Sequence, residues 1–187
     1  MVEQSNQHPQ PTRQAFQRFQ QTLDVQGVRA ALAYVVSLSD YRFISVFQFR
    51  DDKATAALHI DRENPEQLRS AEVPDTATYC CYVRDSLGVF TTANAMLDSR
   101  LVGHPKRADV SAYCGVPVMD AEGQLLGTLC HYDVVPRDPE QLDMALLIEV
   151  ASALARGGHV PPYPVNDASN DAANEPGQCA EQTDGQP

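Results

Sequence analysis

The chain has 187 residues, and its apolar fraction of 43% is enough to build the hydrophobic core of one domain. A formal net charge of -11 at pH 7 repels nucleic-acid phosphates and anionic lipid surfaces, so we expect neither a nucleic acid nor a membrane as a partner. No apolar segment approaches the roughly 20 residues that span a bilayer, and the first residues do not resemble a secretory signal. These features predict a cytoplasmic location.

The five cysteines are irregularly spaced and include no Cys-x-x-Cys pair. An odd number without such a pair favours neither a disulfide framework nor a structural zinc site. We therefore expect reduced thiols and no bound metal, with most of the cysteines buried as small apolar side chains.

Two amphipathic helices are predicted in the N-terminal part of the chain. Apolar residues recur at helical spacing in residues 12–23 and again in residues 28–38, with a break near Gly27. The polar residues 1–11 cannot bury enough apolar surface to offset the entropy of ordering them, so we expect them to be disordered.

A β-hairpin follows the helices. Alternating β-branched and aromatic residues predict one strand over residues 41–49, and a turn leads into a second strand over residues 54–60. His59, near the end of the second strand, is expected to be exposed. The polar residues 61–75 are predicted to form a loop, which is followed by a short helix, a brief strand and an irregular segment up to residue 106.

Two further strands are predicted at residues 110–119 and 124–133, joined by an Asp-Ala-Glu-Gly turn. A last helix is predicted to open at Asp138, which can cap it, and to end at two consecutive glycines. The acidic residues 159–187 are expected to form a disordered tail. The pattern as a whole predicts an α/β fold of the α+β type, with a central antiparallel sheet of five or six strands flanked by helices.

Residues 113–137, with the sequence YCGVPVMDAEGQLLGTLCHYDVVPR, resemble the most recognisable stretch of the GAF family. Residues 78–105, TYCCYVRDSLGVFTTANAMLDSRLVGHP, resemble the family's helix, short strand and Asp-x-Arg segment. The resemblance implies a GAF/PAS-like domain over residues 12–158, with a ligand cavity on one face of the sheet. Members of the family bind cyclic nucleotides, haem, bilins, nitrate or amino-acid-derived ligands, so the resemblance leaves the ligand and any cofactor unidentified.

The resemblance also places a set of polar residues in the region that closes this cavity. Arg100 can recognise a carboxylate or a phosphate, and Tyr79 and Tyr113 can stack on a planar ligand or hydrogen-bond to it. Asp98 and Arg100 can equally brace the loop as a structural ion pair. The candidate ligand-binding residues are Tyr79, Cys80, Asn94, Asp98, Arg100, His104, Tyr113 and His131.

His131 and two of the cysteines have structural alternatives. No second metal ligand is spaced to join His131, which favours a hydrogen-bonded structural role for it. Cys114 and Cys130 lie on the two strands of the last hairpin. Pairing of Val118 with Leu126 would place these thiols directly opposite each other, close enough for redox chemistry, whereas a slip of one residue would put them on opposite faces. Packing is favoured over a redox pair.

A non-catalytic small-molecule sensor is the favoured function, with output through a signalling partner or through a homodimer formed by the terminal helices. No output module is expected, because only the acidic tail follows the last helix. One alternative is a redox enzyme resembling the free methionine-(R)-sulfoxide reductase, although the cysteines do not match that family's spacing. The other is a structural dimerisation module, which would have its cavity filled by the protein's own side chains.

Overall fold

Six strands and four α-helices make up the fold in a computed structural model, which describes residues 10–67 and 72–163. The strands are β1 (Phe43–Arg50), β2 (Lys53–Asp61), β3 (Val73–Pro74), β4 (Phe90–Thr92), β5 (Ala112–Met119) and β6 (Leu125–Asp133). The helices are α1 (Gln10–Gln26), α2 (Val28–Ser37), α3 (Cys80–Ser86) and α4 (Met144–Arg156). Three short 3-10 helices also occur in the described residues, at Asp75–Ala77, Ser99–Leu101 and Pro139–Gln141.

All six strands join one antiparallel sheet in the order β3-β2-β1-β6-β5-β4. This arrangement confirms the predicted α+β fold with a central antiparallel sheet flanked by helices. The two-residue strand β3 lies within residues 61–75, which were expected to form only a loop. None of the described helices is long and apolar enough to cross a membrane.

The two ends of the chain extend beyond the described residues. Helix α1 begins at Gln10, so the last two residues of the predicted disordered N-terminus belong to a helix instead. Residues 1–9 lie outside the described part of the chain. The same holds for residues 164–187, which make up most of the predicted acidic tail.

The sheet has two differently covered faces. Helices α1, α2 and α4 pack on one face, where Ile44, Val116 and Leu129 of the central strands belong to the larger of two hydrophobic clusters. The opposite face carries a smaller cluster in which Tyr113 and Cys130 of the sheet meet α3 and the segment that follows it. Because side chains alternate between faces along a strand, each central strand contributes to both clusters.

The boundary between the first two helices lies at Gly27, as the sequence predicts. Its φ of 85° is in the left-handed region that favours glycine, and its N–H donates to the carbonyl of Leu23 at 3.0 Å. The turn lets α1 pack against α2, which in turn lies on the sheet, with Phe19 of α1 and Leu32 of α2 fully buried.

The last helix begins later than predicted. Asp138 does cap a helical turn, but that turn is the 3-10 helix Pro139–Gln141, and Leu142 after it is extended. Helix α4 begins at Met144, where Asp143 accepts a hydrogen bond from the N–H of Leu146. The second carboxylate oxygen of Asp143 accepts from the hydroxyl of Thr12 at 2.6 Å, which joins the first turn of α4 to the first turn of α1.

The last hairpin decides between the two registers considered for Cys114 and Cys130. Pairing starts in the register that would oppose them, with Met119 opposite Leu125, but Leu126 has no partner and the register shifts by one residue. Beyond this bulge Cys114 lies opposite His131, and Cys130 lies opposite a glycine. Cys114 therefore belongs to the helix-covered cluster and Cys130 to the smaller cluster, so the two thiols do not form a redox pair.

His131 lies on the helix-covered face, where it is fully buried beside Tyr41. The two rings meet edge to face with centroids 5.9 Å apart. Neither ring nitrogen of His131 has a hydrogen-bond partner within the described residues, so the hydrogen-bonded role expected for it is wrong. Burial lowers the pKa of His131 from its ordinary value to about 3.

We expect the free energy of unfolding of His131→Phe, taken relative to that of the wild type, to increase progressively as the pH falls below 6.5. The folded wild type keeps this imidazole neutral, while the unfolded chain binds a proton with a pKa near 6.5, so the wild type loses stability between about pH 6.5 and pH 3. At pH 5 the loss from this one group is about 2 kcal/mol. Phenylalanine retains an aromatic contact with Tyr41 and binds no proton.

Urea unfolding of both proteins at pH 7.5 and pH 5.0 tests this expectation, with His159→Gln beyond the end of α4 as the control for loss of a histidine. The stability gap should widen in favour of the phenylalanine variant at the lower pH. An equal gap at the two pH values would contradict it.

Candidate ligand-binding pocket

A cavity of about 290 Å³ lies on the sheet face opposite the three-helix layer. Strands β1, β5 and β6 form its floor, and residues 77–80 and 106–110 form its walls. We refer to it as the pocket, defined by the lining residues Phe47, Val73, Ala77, Thr78, Tyr79, Cys80, Lys106, Asp109, Val110, Tyr113, Cys130 and Tyr132. Its volume lies just below the range of about 300–1,000 Å³ that is typical of small-molecule sites.

The walls combine an aromatic side chain with a neutralised pair of charges. The hydroxyl of Tyr79 donates to the carbonyl of Val110 at 3.1 Å, which joins the two wall segments. Burial raises the pKa of Tyr79 to about 12, so its phenol stays protonated at neutral pH. Lys106 and Asp109 form an ion pair at 3.0 Å with side chains that are 41% and 62% exposed, so the charges at this wall cancel.

A glycine in β5 allows the ring of Tyr113 to take its position in the floor of the pocket. Tyr113 and Gly115 point to the same face of β5, and the tyrosine ring folds back over the glycine. A Cβ atom at Gly115 would lie 2.2 Å from the Tyr113 hydroxyl oxygen and 2.7 Å from the ring carbon that carries it. The missing side chain therefore lets the hydroxyl donate to the sulfur of Cys80 at 3.2 Å.

A buried histidine lies beside the floor. His59 is buried, contrary to the exposure expected from the sequence, and its Nδ1 lies 3.0 Å from the hydroxyl of Ser45 and 3.3 Å from that of Tyr132. Its ring stacks with Phe43, whose ring in turn stacks on Tyr132 at 4.7 Å. This stack fixes the orientation of Tyr132 within the pocket.

Three of the predicted ligand-binding residues, Tyr79, Cys80 and Tyr113, line the pocket. His104 lies behind the wall with its ring 4.5 Å from that of Tyr79, and its Nδ1 accepts from the N–H of Lys106. The other ring nitrogen of His104 is buried and has no hydrogen-bond partner within the residues that the structure describes.

Asn94, Asp98 and Arg100 lie outside the pocket. Arg100 binds Asp98 through two of its nitrogens, the shorter contact being 2.6 Å, and donates to the carbonyl of Thr91 at 2.7 Å. The hydrogen bond from Arg100 lowers the pKa of Asp98 to about 2. Asn94 accepts from the N–H of Met96 in the same loop. These contacts match the structural alternative for the ion pair.

The residues that line the pocket differ in two ways from the ligand-binding residues predicted from the sequence. His131 is not part of the pocket, because it points to the other face of the sheet. Cys130, Tyr132 and the exposed Lys106–Asp109 pair line the pocket but were not singled out as site residues. Only the register of the last hairpin could have identified Cys130 and Tyr132, since that register decides which β6 side chains lie beside Tyr113.

We expect Gly115→Ala to lower the free energy of unfolding by about 1–3 kcal/mol, the usual cost of overpacking a buried site. The cause is the clash with the ring of Tyr113, so the same substitution should be neutral or stabilising in a Tyr113→Val background, where alanine is the better strand residue. Urea unfolding of the two single variants and the double variant gives the coupling energy. If the effects of the two substitutions on the free energy of unfolding were additive, the ring of Tyr113 would not be the reason why residue 115 is a glycine.

The fold and the pocket together define an α+β ligand-binding domain of the sensor type, in which one face of an antiparallel sheet carries the hollow. The chain belongs to the GAF domain family, whose model matches residues 14–157. This match confirms the resemblance seen in the sequence.

Similar proteins differ widely in what they do. The chain is 36% identical over 80 residues to a cyclic di-GMP phosphodiesterase of Pseudomonas aeruginosa, a match that covers 41% of this chain and 14% of that protein. The GAF domain of an Acinetobacter phosphoenolpyruvate-protein phosphotransferase superposes with a TM-score of 0.62 at 14% identity, covering 80% of this chain and 93% of that one. Free methionine-R-sulfoxide reductase from Neisseria meningitidis, solved with its substrate, superposes with a TM-score of 0.59 at 13% identity, covering 78% and 86%. At these identities the structural matches show a shared fold alone.

Proposed function

We propose that the domain is a non-catalytic sensor that binds one small molecule in the pocket. The observation that carries the proposal is the hollow itself, because a module whose only task is dimerisation gains stability from a filled core. The hollow is bounded by the paired central strands on one side and by hydrogen-bonded wall segments on the other.

The lining favours a small, flat and mostly apolar ligand without net charge. Four aromatic rings surround the space, those of Phe47, Tyr79, Tyr113 and Tyr132. The cation and the anion at the wall are already paired with each other, so neither is available to neutralise a charged ligand. The volume is small for a linear tetrapyrrole or a dinucleotide, which supports a metabolite of lower mass.

We further propose that occupancy of the pocket is passed to a partner protein or to a second copy of the chain through the terminal helices. Strands β5 and β6 line the pocket with one set of side chains and contact α4 with the other. Val25 of α1 and Ile148 of α4 are 81% and 50% exposed, which provides apolar surface for such a contact. The hydrogen bond between Thr12 and Asp143 couples the two helices.

Filling the pocket tests the proposal. We expect Ala77→Trp to abolish ligand binding, because the indole would occupy the space beside Tyr79, while Ala121→Trp in the exposed hairpin turn serves as the matched control. Native mass spectrometry of the protein from its own source identifies a retained molecule.

A ligand at 100 times its Kd should raise the Tm of the wild type and of the control by about 5–10 °C and leave that of Ala77→Trp unchanged.

Two outcomes would overturn the sensor. The pocket would be a packing defect if no molecule were retained, no metabolite in a panel shifted the Tm, and Ala77→Trp simply stabilised the fold. Oxidation of NADPH in the presence of thioredoxin reductase, thioredoxin and methionine sulfoxide would instead indicate an enzyme, and this assay is run in parallel.

A further inference from the structure

Two cysteine thiols meet at the floor of the pocket, although they are far apart in the chain. Cys80 lies in the first turn of α3 and Cys130 in the central strand β6, and their sulfur atoms are 3.9 Å apart. Both side chains are buried, at 1% and 0% exposure, and both are free thiols. Both also line the pocket, where Cys80 keeps the small exposed fraction and Cys130 lies directly behind it.

The surroundings make the two thiols chemically unequal. Burial by itself raises the pKa of Cys80, but hydrogen bonding with Cys130 and with the hydroxyl of Tyr113 opposes burial and leaves that pKa below its ordinary value. Burial and the neighbouring Cys80 raise the pKa of Cys130 well above its ordinary value. Cys80 is thus placed to carry the thiolate, which is the nucleophilic form, and Cys130 to hold a proton.

We propose that a small hydroperoxide entering the pocket oxidises Cys80 and Cys130 to a reversible disulfide, and that this bond narrows the pocket. The pair forms a modification site that does not depend on the ligand of the proposed sensor.

The chemistry balances in two steps. The Cys80 thiolate attacks the terminal oxygen of the hydroperoxide, the O–O bond breaks, and the alkoxide takes a proton and leaves as an alcohol, or as water from hydrogen peroxide. Cys80 is left as a sulfenic acid. The sulfur of Cys130 then attacks that of Cys80, the S–O bond breaks, and water leaves with the proton of Cys130. Two thiols lose two electrons and the hydroperoxide gains them.

The geometry indicates which element moves. A disulfide requires sulfur atoms about 2.05 Å apart, so the present 3.9 Å must close by a little under 2 Å. Strand β6 is paired on both sides, with β1 and β5, and cannot shift without breaking the sheet. Helix α3 has only seven residues and ends at Leu87 in a left-handed conformation. Closure therefore draws α3 and the adjacent Tyr79 toward the floor.

The other described cysteines serve as internal controls. Cys81 follows Cys80 on α3 but does not line the pocket, and burial raises its pKa to about 11. Cys114 lies on the opposite face of the sheet, where burial raises its pKa to about 12. Cys179 lies outside the described residues, so peptide mapping is needed to show which two cysteines become linked.

The experiment uses the full chain, reduced and then treated with one equivalent of hydrogen peroxide or cumene hydroperoxide. The protein is then unfolded in denaturant, the remaining thiols are alkylated, and the linked peptides are identified by mass spectrometry. We expect the wild type to lose two alkylatable thiols, to yield a Cys80–Cys130 linked peptide, and to regain both thiols on reduction. Cys81→Ser and Cys114→Ser should behave like the wild type.

Three variants separate the steps. Cys130→Ser should stop at a sulfenic acid on Cys80, which dimedone traps, and Cys80→Ser should form neither product. Tyr113→Phe should slow disulfide formation about tenfold, the expected effect of losing one hydrogen bond to a charged sulfur.

Two results would overturn the proposal. One is that Cys80 and Cys130 are both still alkylated when the peroxide-treated wild type is unfolded in denaturant. The other is that the linkage maps to Cys81, Cys114 or Cys179. The ligand-binding test of the sensor is run in the presence of a phosphine reductant, so either proposal can fail without the other.

Discussion

The pairing of β5 with β6 is the constraint on which the pocket depends. Directly opposed residues of an antiparallel pair share a face, so the register decides which side chains meet. The bulge at Leu126 places Tyr113 opposite Tyr132, and Gly115 opposite Cys130. Both pairs lie on the pocket face, and the glycine leaves room for the tyrosine ring. An uninterrupted hairpin would have brought two thiols together across the strands and separated these aromatic rings.

The two faces of the sheet differ in how tightly they are filled. The face under α1, α2 and α4 carries the larger apolar cluster, and its buried His131 is held without a hydrogen-bond partner in the described residues. The other face is covered by one short helix and an irregular segment, which leave a hollow. A fold of this kind can be stabilised from one side while the other, less densely filled side contributes less to stability.

The sequence predicted the elements and several of the residues that line the pocket, but not the contacts between them. Helix spacing, strand alternation and the glycine at residue 27 are local signals, and the structure follows them. The predicted start of α4 was wrong because Leu142 is extended. Asp143 can therefore cap the helix while it also binds Thr12, 131 residues away. Asp61, expected in a polar loop, is buried and bound to Arg42 at 2.7 Å. These outcomes, like the meeting of Cys80 with Cys130, depend on tertiary neighbours that no local pattern contains.

The ion pair between Lys106 and Asp109 has a kinetic consequence. Paired charges at the wall produce little field beyond their own separation, so an arriving molecule is not steered toward the pocket. The chain as a whole, with its net charge of -11, slows the approach of anions when ionic strength is low. The association rate of an uncharged molecule would therefore stay the same from dilute buffer to the salt concentration of a cell.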